Sequence, residues 1–198
     1  MVGKGSKTRA EILEVALNQA SRVGLEGLSI GVLAREMGMS KSGLFAHFGS
    51  KDQLQLAIID LAASVFIETV IKPAIHRPRG EPRIRALFEN WATWTERASL
   101  DGGCVLSSSP WEFDDRPGLV RDLLERTLSE LHRTLQRAAA IAIEEGHFDT
   151  DTDVEQFAFE MHAVMLGYHV QWRLFRRPDA LPRARRALER LLEYRRPS

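Results

Sequence analysis

The chain has 198 residues, 44% of them hydrophobic, and equal numbers of acidic and basic residues, 27 of each. This is enough apolar material for one large or two small globular domains, and it excludes a disordered chain. A single cysteine, Cys104, excludes an internal disulfide and leaves too few thiolates for a structural zinc site. We expect a soluble, cytoplasmic protein without a membrane partner, because acidic and basic residues interrupt the apolar runs and residues 1–8 are polar and basic.

Charge is distributed unevenly along the chain. Residues 1–51 carry seven basic against four acidic residues, residues 52–172 eleven against twenty, and residues 173–198 nine against three. A basic N-terminal segment in a chain of zero net charge favours a small DNA-binding module joined to a second part with another function. Ordinary solvated helix faces would give the same pattern. For the basic C-terminal run we prefer solvated helix faces to a second nucleic-acid surface, because its arginines lie opposite or beside a leucine stripe.

Capping residues and apolar spacing predict the first two helices. Thr8 and Glu11 form a capping box, which predicts a helix that begins at Thr8 and ends near Gly24. A second, short helix follows Ser29 and ends at Gly38, because a glycine permits the tight turn between two helices.

The third and fourth helices are predicted in the same way. Ser40 is placed to cap a third short helix over Lys41 to His47. Ser50 and Gln53 form another capping box, and the apolar periodicity that follows predicts a long fourth helix to about residue 71, ended by Pro73.

Helical periodicity continues to the end of the chain, and no stretch alternates with the period of a strand, so the predicted fold is all-α with about nine helices. Five further segments are predicted: about 83–99, a short one within 104–113, about 117–145 with Pro117 in its first turn, about 153–176 after Thr152, and about 181–195. The segment 153–176 is apolar on two sides, so it buries one face on its own domain and offers the other to a partner.

Residues 28–56 read LSIGVLAREMGMSKSGLFAHFGSKDQLQL. Two short helices joined by the turn Met37–Met39 fit a helix-turn-helix, whose second helix enters the major groove of DNA. The Gly-Met-Ser turn, the Ser-Gly-Leu-aromatic run, the His-Phe pair and the Ser-Lys-Asp-Gln-Leu opening of the next helix resemble the DNA-binding domain of the TetR (tetracycline repressor-like) family. The resemblance implies a DNA-binding domain at 1–51 and an effector-binding and dimerisation domain at 52–198.

The side-chain types of the third helix favour DNA contact. Lys41, Ser42, Gly43 and His47 are short or cationic groups at positions that core packing would not select, and a glycine in a helix suggests close approach to the duplex. The family commonly has tyrosine where this chain has Phe45, so a phosphate-binding hydroxyl is missing and we favour packing for this ring. The candidate DNA-binding residues are Ser29, Ser40, Lys41, Ser42, Gly43, Phe45, His47 and Lys51, and Lys4, Lys7 and Arg9 form a basic arm that could reach the DNA or be a disordered tail.

The stretches Gly102–Val105 and Trp111–Gly118 resemble a C-terminal regulatory domain of the same family. The resemblance implies a helical body that binds a small ligand and pairs its last two helices with those of a second copy. The candidate pocket residues, for which plain core is the alternative, are Phe88, Trp91, Trp94, Leu106, Trp111, Phe113, Met161 and Met165. The candidate dimer-interface residues are Phe159, His162, Leu166, His169, Leu188 and Leu191.

Together these observations predict a transcriptional regulator, most readily a repressor, that binds palindromic operator DNA as a homodimer and is released by a small apolar or aromatic effector. No metal or cofactor is expected, since His162 and His169 lie two helical turns apart. An enzyme is disfavoured, because Cys104 has no base near it in sequence and no catalytic motif is present. A redox-sensing Cys104 and an architectural DNA binder without an effector remain as alternatives.

Overall fold

The structure, a computed structural model, describes residues 4–197, with side chains from residue 8 onward. This part of the chain contains ten helices and no strand, so the all-α prediction is confirmed. The side chains of Lys4 and Lys7, two members of the predicted basic arm, lie outside the described residues.

The first four helices are α1 (Lys4–Val23), α2 (Ile30–Glu36), α3 (Lys41–Phe48) and α4 (Lys51–Ile75). Helix α1 begins four residues before the predicted cap, so Thr8 lies inside the helix and the capping-box prediction is wrong. Residues 4–7 include no proline that would block a helical backbone, and the helix includes them.

Helix α4 does not end at Pro73. It consists of an α-helical part (Lys51–Phe66), a π-helical turn (Ile67–Ile71) and a final α-helical turn (Lys72–Ile75). In the π turn the N–H of Lys72 donates to the carbonyl of Ile67, five residues earlier. A proline in a regular α-helix clashes with the carbonyl four residues before it, and the wider turn accommodates the ring. The prediction that Pro73 stops the helix is therefore wrong.

The remaining helices are α5 (Glu81–Arg97), α6 (Val105–Ser108), α7 (Pro110–Phe113), α8 (Leu119–Glu144), α9 (Val154–Arg173) and α10 (Ala180–Glu193). The single short helix predicted within 104–113 is two one-turn helices, because Pro110 has no N–H with which to continue α6. Pro117 precedes α8 instead of lying in its first turn. Asp153, and not Thr152, caps α9 by accepting hydrogen bonds from the N–H groups of Glu155 (2.9 Å) and Gln156 (3.0 Å).

The helices form two compact units. Unit 1 comprises Met1–Val65 and Ala98–Arg126, and unit 2 comprises Phe66–Arg97 and Thr127–Ser198. Within unit 1, α1 packs on α2 and α6, and α2 packs on α3; within unit 2, α9 packs on α10 and α5. A domain boundary after residue 51 remains a prediction.

Helix α4 is long and apolar enough, by length and composition, to cross a membrane, although Asp60 and Glu68 interrupt its apolar run. The same test is passed by core helices of soluble proteins, and Leu54, Ile58 and Ile59 of α4 are completely buried. Their burial identifies the first part of α4 as a core helix of unit 1.

Candidate nucleic-acid interface and effector cavity

The turn between α2 and α3 depends on one glycine. Gly38 has a φ of +65°, a conformation that side-chain-bearing residues rarely adopt. The N–H of Gly38 donates to Arg35 O (3.1 Å), and the N–H of Met39 donates to Ala34 O (2.8 Å). These bonds end α2 and turn the chain into α3, as the helix-turn-helix pattern predicts.

Two serine hydroxyls cap the short helices, as predicted. Ser29 Oγ accepts a hydrogen bond from the N–H of Val32 (3.4 Å), and Ser40 Oγ accepts one from the N–H of Gly43 (3.0 Å). Both serines are exposed, so each hydroxyl lies at the solvent-facing N-terminus of a helix, where free N–H groups favour anions such as phosphate.

Helix α3 has a buried face and an exposed face. Leu44 and Phe48 are buried and anchor the helix, whereas Lys41 and Ser42 are exposed. Phe45 is 39% exposed, so the interpretation that its ring packs in the core is wrong. The arrangement leaves a cation, a hydroxyl and an aromatic ring on one accessible helix.

Two glycines allow the caps and side chains of this motif to fit together. A methyl group on Gly43 would lie 3.2 Å from Ser40 Oγ, so the cap itself favours a small residue there, beside any close approach of DNA. A methyl group on Gly31, which sequence reasoning missed, would lie 2.8 Å from Cε of Lys41. Gly31 therefore provides the space along which the Lys41 side chain extends. His47, like Gly43, is half-buried.

Lys51 is engaged within unit 1. Its ammonium group donates to the carbonyl oxygen of Glu26 (2.7 Å) and to Glu26 Oε2 (3.0 Å). Glu26 also accepts from Arg116 Nη1 at Oε1 (2.8 Å). The hydrogen bond from Lys51, together with the charges of Lys51 and Arg116, lowers the pKa of Glu26 despite the opposing effect of burial. These bonds use two of the three N–H donors of the Lys51 ammonium group.

The segment 101–118 holds the end of α1 and the loop after it. The N–H groups of Gly102 and Gly103 donate to the hydroxyl (2.9 Å) and the carbonyl oxygen (2.8 Å) of Ser21. The Glu112 carboxylate accepts from the N–H groups of Leu25 (3.3 Å) and Glu26 (2.7 Å). The stretches Gly102–Val105 and Trp111–Gly118, which resemble a regulatory domain, thus contact the end of α1 and the loop before α2. The adjacent glycines Gly102 and Gly103 are the sequence feature that could have indicated this contact.

The predicted pocket residues do not form one lining. Phe88, Trp91, Trp94, Met161 and Met165 are buried in unit 2, where Phe66 meets the rings of Trp91 and Trp94 edge to face at 5.6 Å. Leu106 and Phe113 are buried in unit 1. Trp111 is 71% exposed, which is incompatible with lining a closed cavity. The assignment of Trp111 is therefore corrected, and the packing of the others fits the plain-core alternative.

The predicted interface residues also divide into two groups. Phe159 is 61% exposed, and Leu166, His169 and Leu191 are half-buried. Leu188 is only 3% exposed and has almost no surface left for a partner. His162 is half-buried like Leu166, His169 and Leu191, so the interface prediction is corrected for Leu188 alone.

His162 forms a half-buried pair with His132. Nδ1 of His162 lies 2.6 Å from Nε2 of His132, and the His162 ring lies 5.7 Å from the Trp91 ring. Burial first, and the neighbouring His132 second, lower the pKa of His162 to about 4. Burial and then Arg173 also lower the pKa of His169. At neutral pH both imidazoles are therefore uncharged.

Unit 2 contains a cavity of about 400 Å³ that sequence reasoning missed. None of the eight predicted pocket residues lines it. Its walls combine arginines with aliphatic side chains, and its lining residues are Ile71, Ile75, Arg79, Arg83, Leu87, Thr134, Arg137, Ala138 and Ile141. Ile71 lies in the π turn, and Ile75 and Arg79 follow Pro73, in the region where the sequence predicted a helix end.

An exposed second helix in a helix-turn-helix, within an all-helical chain, defines a DNA-binding regulator. Residues 12–58 match the model of the bacterial regulatory proteins of the tetR family, and residues 80–188 match the model of the tetracyclin repressor-like C-terminal domain. The chain therefore belongs to the TetR family. This is a family of DNA-binding regulators and not of enzymes.

Solved structures of other proteins show the same fold. A TetR transcriptional regulator from Chloroflexus aurantiacus is 26% identical over 96% of this chain and 95% of its own, with a TM-score of 0.85. A TetR-family regulator from Cytophaga hutchinsonii is 20% identical over 100% and 99%, with a TM-score of 0.86. AibR, crystallised with isovaleryl coenzyme A and operator DNA, is 22% identical over 93% and 96%, with a TM-score of 0.71. No protein with a curated description matches the chain.

Proposed function

We propose that this protein is a ligand-responsive repressor in the cytoplasm that binds a palindromic operator as a homodimer and is released by a small effector. The exposed face of α3, held in place by buried Leu44 and Phe48, carries the proposal. AibR, of the same fold, was crystallised with both an acyl coenzyme A and operator DNA. This supports the proposal that the present protein also responds to a ligand.

In this proposal α3 enters the major groove. Lys41 donates to guanine edges or phosphate, Ser42 bonds to either, and the Phe45 ring contacts sugar or a thymine methyl. His47 and Gly43 lie against the duplex. Ser29 and Ser40 offer helix N-termini to phosphates, and the third N–H of Lys51 reaches a further one.

Dimer formation is proposed through α9 and the residues just after it. Phe159 and Val170 are exposed on α9, and Leu174 and Phe175, 72% and 60% exposed, follow it. Large apolar side chains that are exposed close together mark a protein interface. Leu166, His169 and Leu191, with the half-buried His162, are proposed to complete it, and its two-fold symmetry matches a palindromic operator.

The ionic part of DNA binding is tested with Lys41→Ala, and Lys72→Ala in unit 2 serves as the matched control. Fluorescence anisotropy measures binding to a palindrome from the DNA beside the gene at several salt concentrations. Lys41→Ala is expected to weaken binding and to reduce the slope of log K against log salt by about one. The proposal is abandoned if the wild-type protein binds no such palindrome, and the role of Lys41 is abandoned if its slope equals that of Lys72→Ala.

The dimer is tested by sedimentation of Phe159→Arg beside Phe45→Arg. Only the first substitution places a charge in the proposed interface, so it should shift the protein toward a monomer while Phe45→Arg stays dimeric. A wild-type protein that sediments as a monomer at micromolar concentration contradicts the dimer proposal.

A further inference from the structure

We propose that the cavity of unit 2 binds an organic anion with an aliphatic tail, and that this anion is the effector, an inference that rests on the proposed function. The anionic group is a carboxylate or a phosphate. The sequence predicted an apolar or aromatic effector. The arginines of the cavity walls add the expectation that this effector carries a negative charge.

The size and the aliphatic part of the cavity suit a small amphiphile. A volume of about 400 Å³ lies within the range of about 300–1,000 Å³ found for small-molecule sites. Ile71 and Ile75 from α4, Leu87 from α5 and Ile141 from α8 line it without an aromatic side chain. Such walls fit a flexible alkyl or acyl chain better than a flat ring system.

The arginines of the cavity differ in whether their charge is already paired. Arg79 forms ion pairs with Glu144 and Glu145. Arg83 pairs with no carboxylate among the described residues, and its Nη2 donates to the carbonyl oxygens of Ile75 (2.9 Å) and Arg77 (3.2 Å). One cation at the cavity is thus neutralised within unit 2, whereas the hydrogen bonds that Arg83 makes within the described part of the chain go to uncharged carbonyls.

The other N–H donors of the cavity arginines indicate that a hydrogen-bond acceptor is missing. Nε of Arg83 is buried and has no hydrogen-bond partner among the residues that the structure describes. Arg137, which also lines the cavity, is exposed and forms no ion pair with an acidic side chain among the residues that the structure describes. Buried N–H groups in native proteins almost always find an acceptor, and guanidinium groups bind the two oxygens of a carboxylate or phosphate well. An anionic head group at these arginines would supply those oxygens.

The test is calorimetric titration of the full chain with octanoate, octyl phosphate, 1-octanol and inorganic phosphate. Octanoate or octyl phosphate is expected to bind once per chain, at least about tenfold more tightly than octanol, because only an anion engages the arginines. The tighter of the two identifies the head group. Hexanoate should bind more weakly than octanoate by roughly fourfold per methylene removed, and inorganic phosphate alone should not bind measurably.

Arg137→Gln tests the arginine itself. It should weaken octanoate or octyl phosphate binding by at least about tenfold and leave octanol binding unchanged, while Arg137→Lys retains most of the affinity. Arg133→Gln, one turn earlier on α8 and outside the cavity lining, is the matched control and should bind like the wild type. Arg137 is exposed, so circular dichroism should show that the variants fold.

Two results overturn the inference: octanol binding as tightly as both anions, or Arg137→Gln binding them like the wild type. Operator titration of the same wild-type preparation without ligand separates this inference from the proposed function. Operator binding without anion binding overturns the effector class alone. Failure to bind any operator overturns the proposed function, whatever the cavity binds.

Discussion

The carboxylate of Glu112 should stabilise the loop after α1, and Glu112→Gln measures by how much. It accepts two backbone hydrogen bonds, a short one from Glu26 (2.7 Å) and a longer one from Leu25 (3.3 Å). A hydrogen bond to a charged group contributes about 1.5–3 kcal/mol, and one between neutral groups about 0.5–1.5 kcal/mol. In glutamine one oxygen becomes an NH₂ donor that faces a backbone donor, so one bond is lost and the other loses its charge. Because the Glu26 amide is exposed and water can replace part of the loss, we expect a net cost of about 2 kcal/mol.

Thermal unfolding measures this cost. For a chain of this size about 2 kcal/mol lowers Tm by roughly 4–8 °C. Asp115→Asn, an identical change of charge at an exposed neighbour, is the control and should leave Tm unchanged. Hydrogen exchange at the amides of Leu25 and Glu26 should accelerate in Glu112→Gln. A Tm equal to that of Asp115→Asn would refute the assignment of these two bonds as stabilising.

Two further perturbations follow from the geometry. The pKa of His162 is lowered to about 4; the unfolded chain therefore takes up a proton that the folded chain does not, and the free energy of unfolding should fall from pH 6.5 toward pH 4 by up to about 3 kcal/mol. His162→Gln should remove this part of the pH dependence of the urea midpoint, and an unchanged dependence would count against the lowered pKa of His162. In Gly102→Ala the new methyl group would lie 1.9 Å from the carbonyl oxygen of Ser21, so unfolding measurements should show a loss of about 2–4 kcal/mol, and a wild-type stability would be the contrary result.

The helix-turn-helix was predictable because its determinants are local. Ser29 and Ser40 cap helices that begin at the next residue, and Gly38 turns the chain between them, each acting within a few residues. The end of α4 was not predictable in this way, since Pro73 stops a regular α-helix but not one that widens into a π turn just before it. Periodicity is insensitive to such a one-residue change of hydrogen-bond register.

The candidate sites show the same division. The exposure of Lys41 and Ser42 follows from their spacing against Leu44 and Phe48 on one short helix. Trp111, in contrast, was expected in a pocket because it is large and aromatic, yet its place is set by contacts of α7 with a loop nearly ninety residues earlier. The arginine cavity was missed because its lining comes from three helices and the loop before α5, and no short motif brings Arg83 and Arg137 together.

These long-range contacts also change how the charge of the DNA-binding unit should be counted. Lys51 shares its ammonium group with Glu26, and Arg116, outside the first 51 residues, pairs with the same carboxylate. Lys51, Arg116 and Glu26 together have a net charge of +1, which is the charge of Lys51 alone. In the structure this charge is spread over two cations. A phosphate that draws Lys51 from Glu26 leaves the carboxylate neutralised by Arg116. Arg116 can therefore support binding at Lys51 without touching DNA, and the basic character of the unit is not set by residues 1–51 alone.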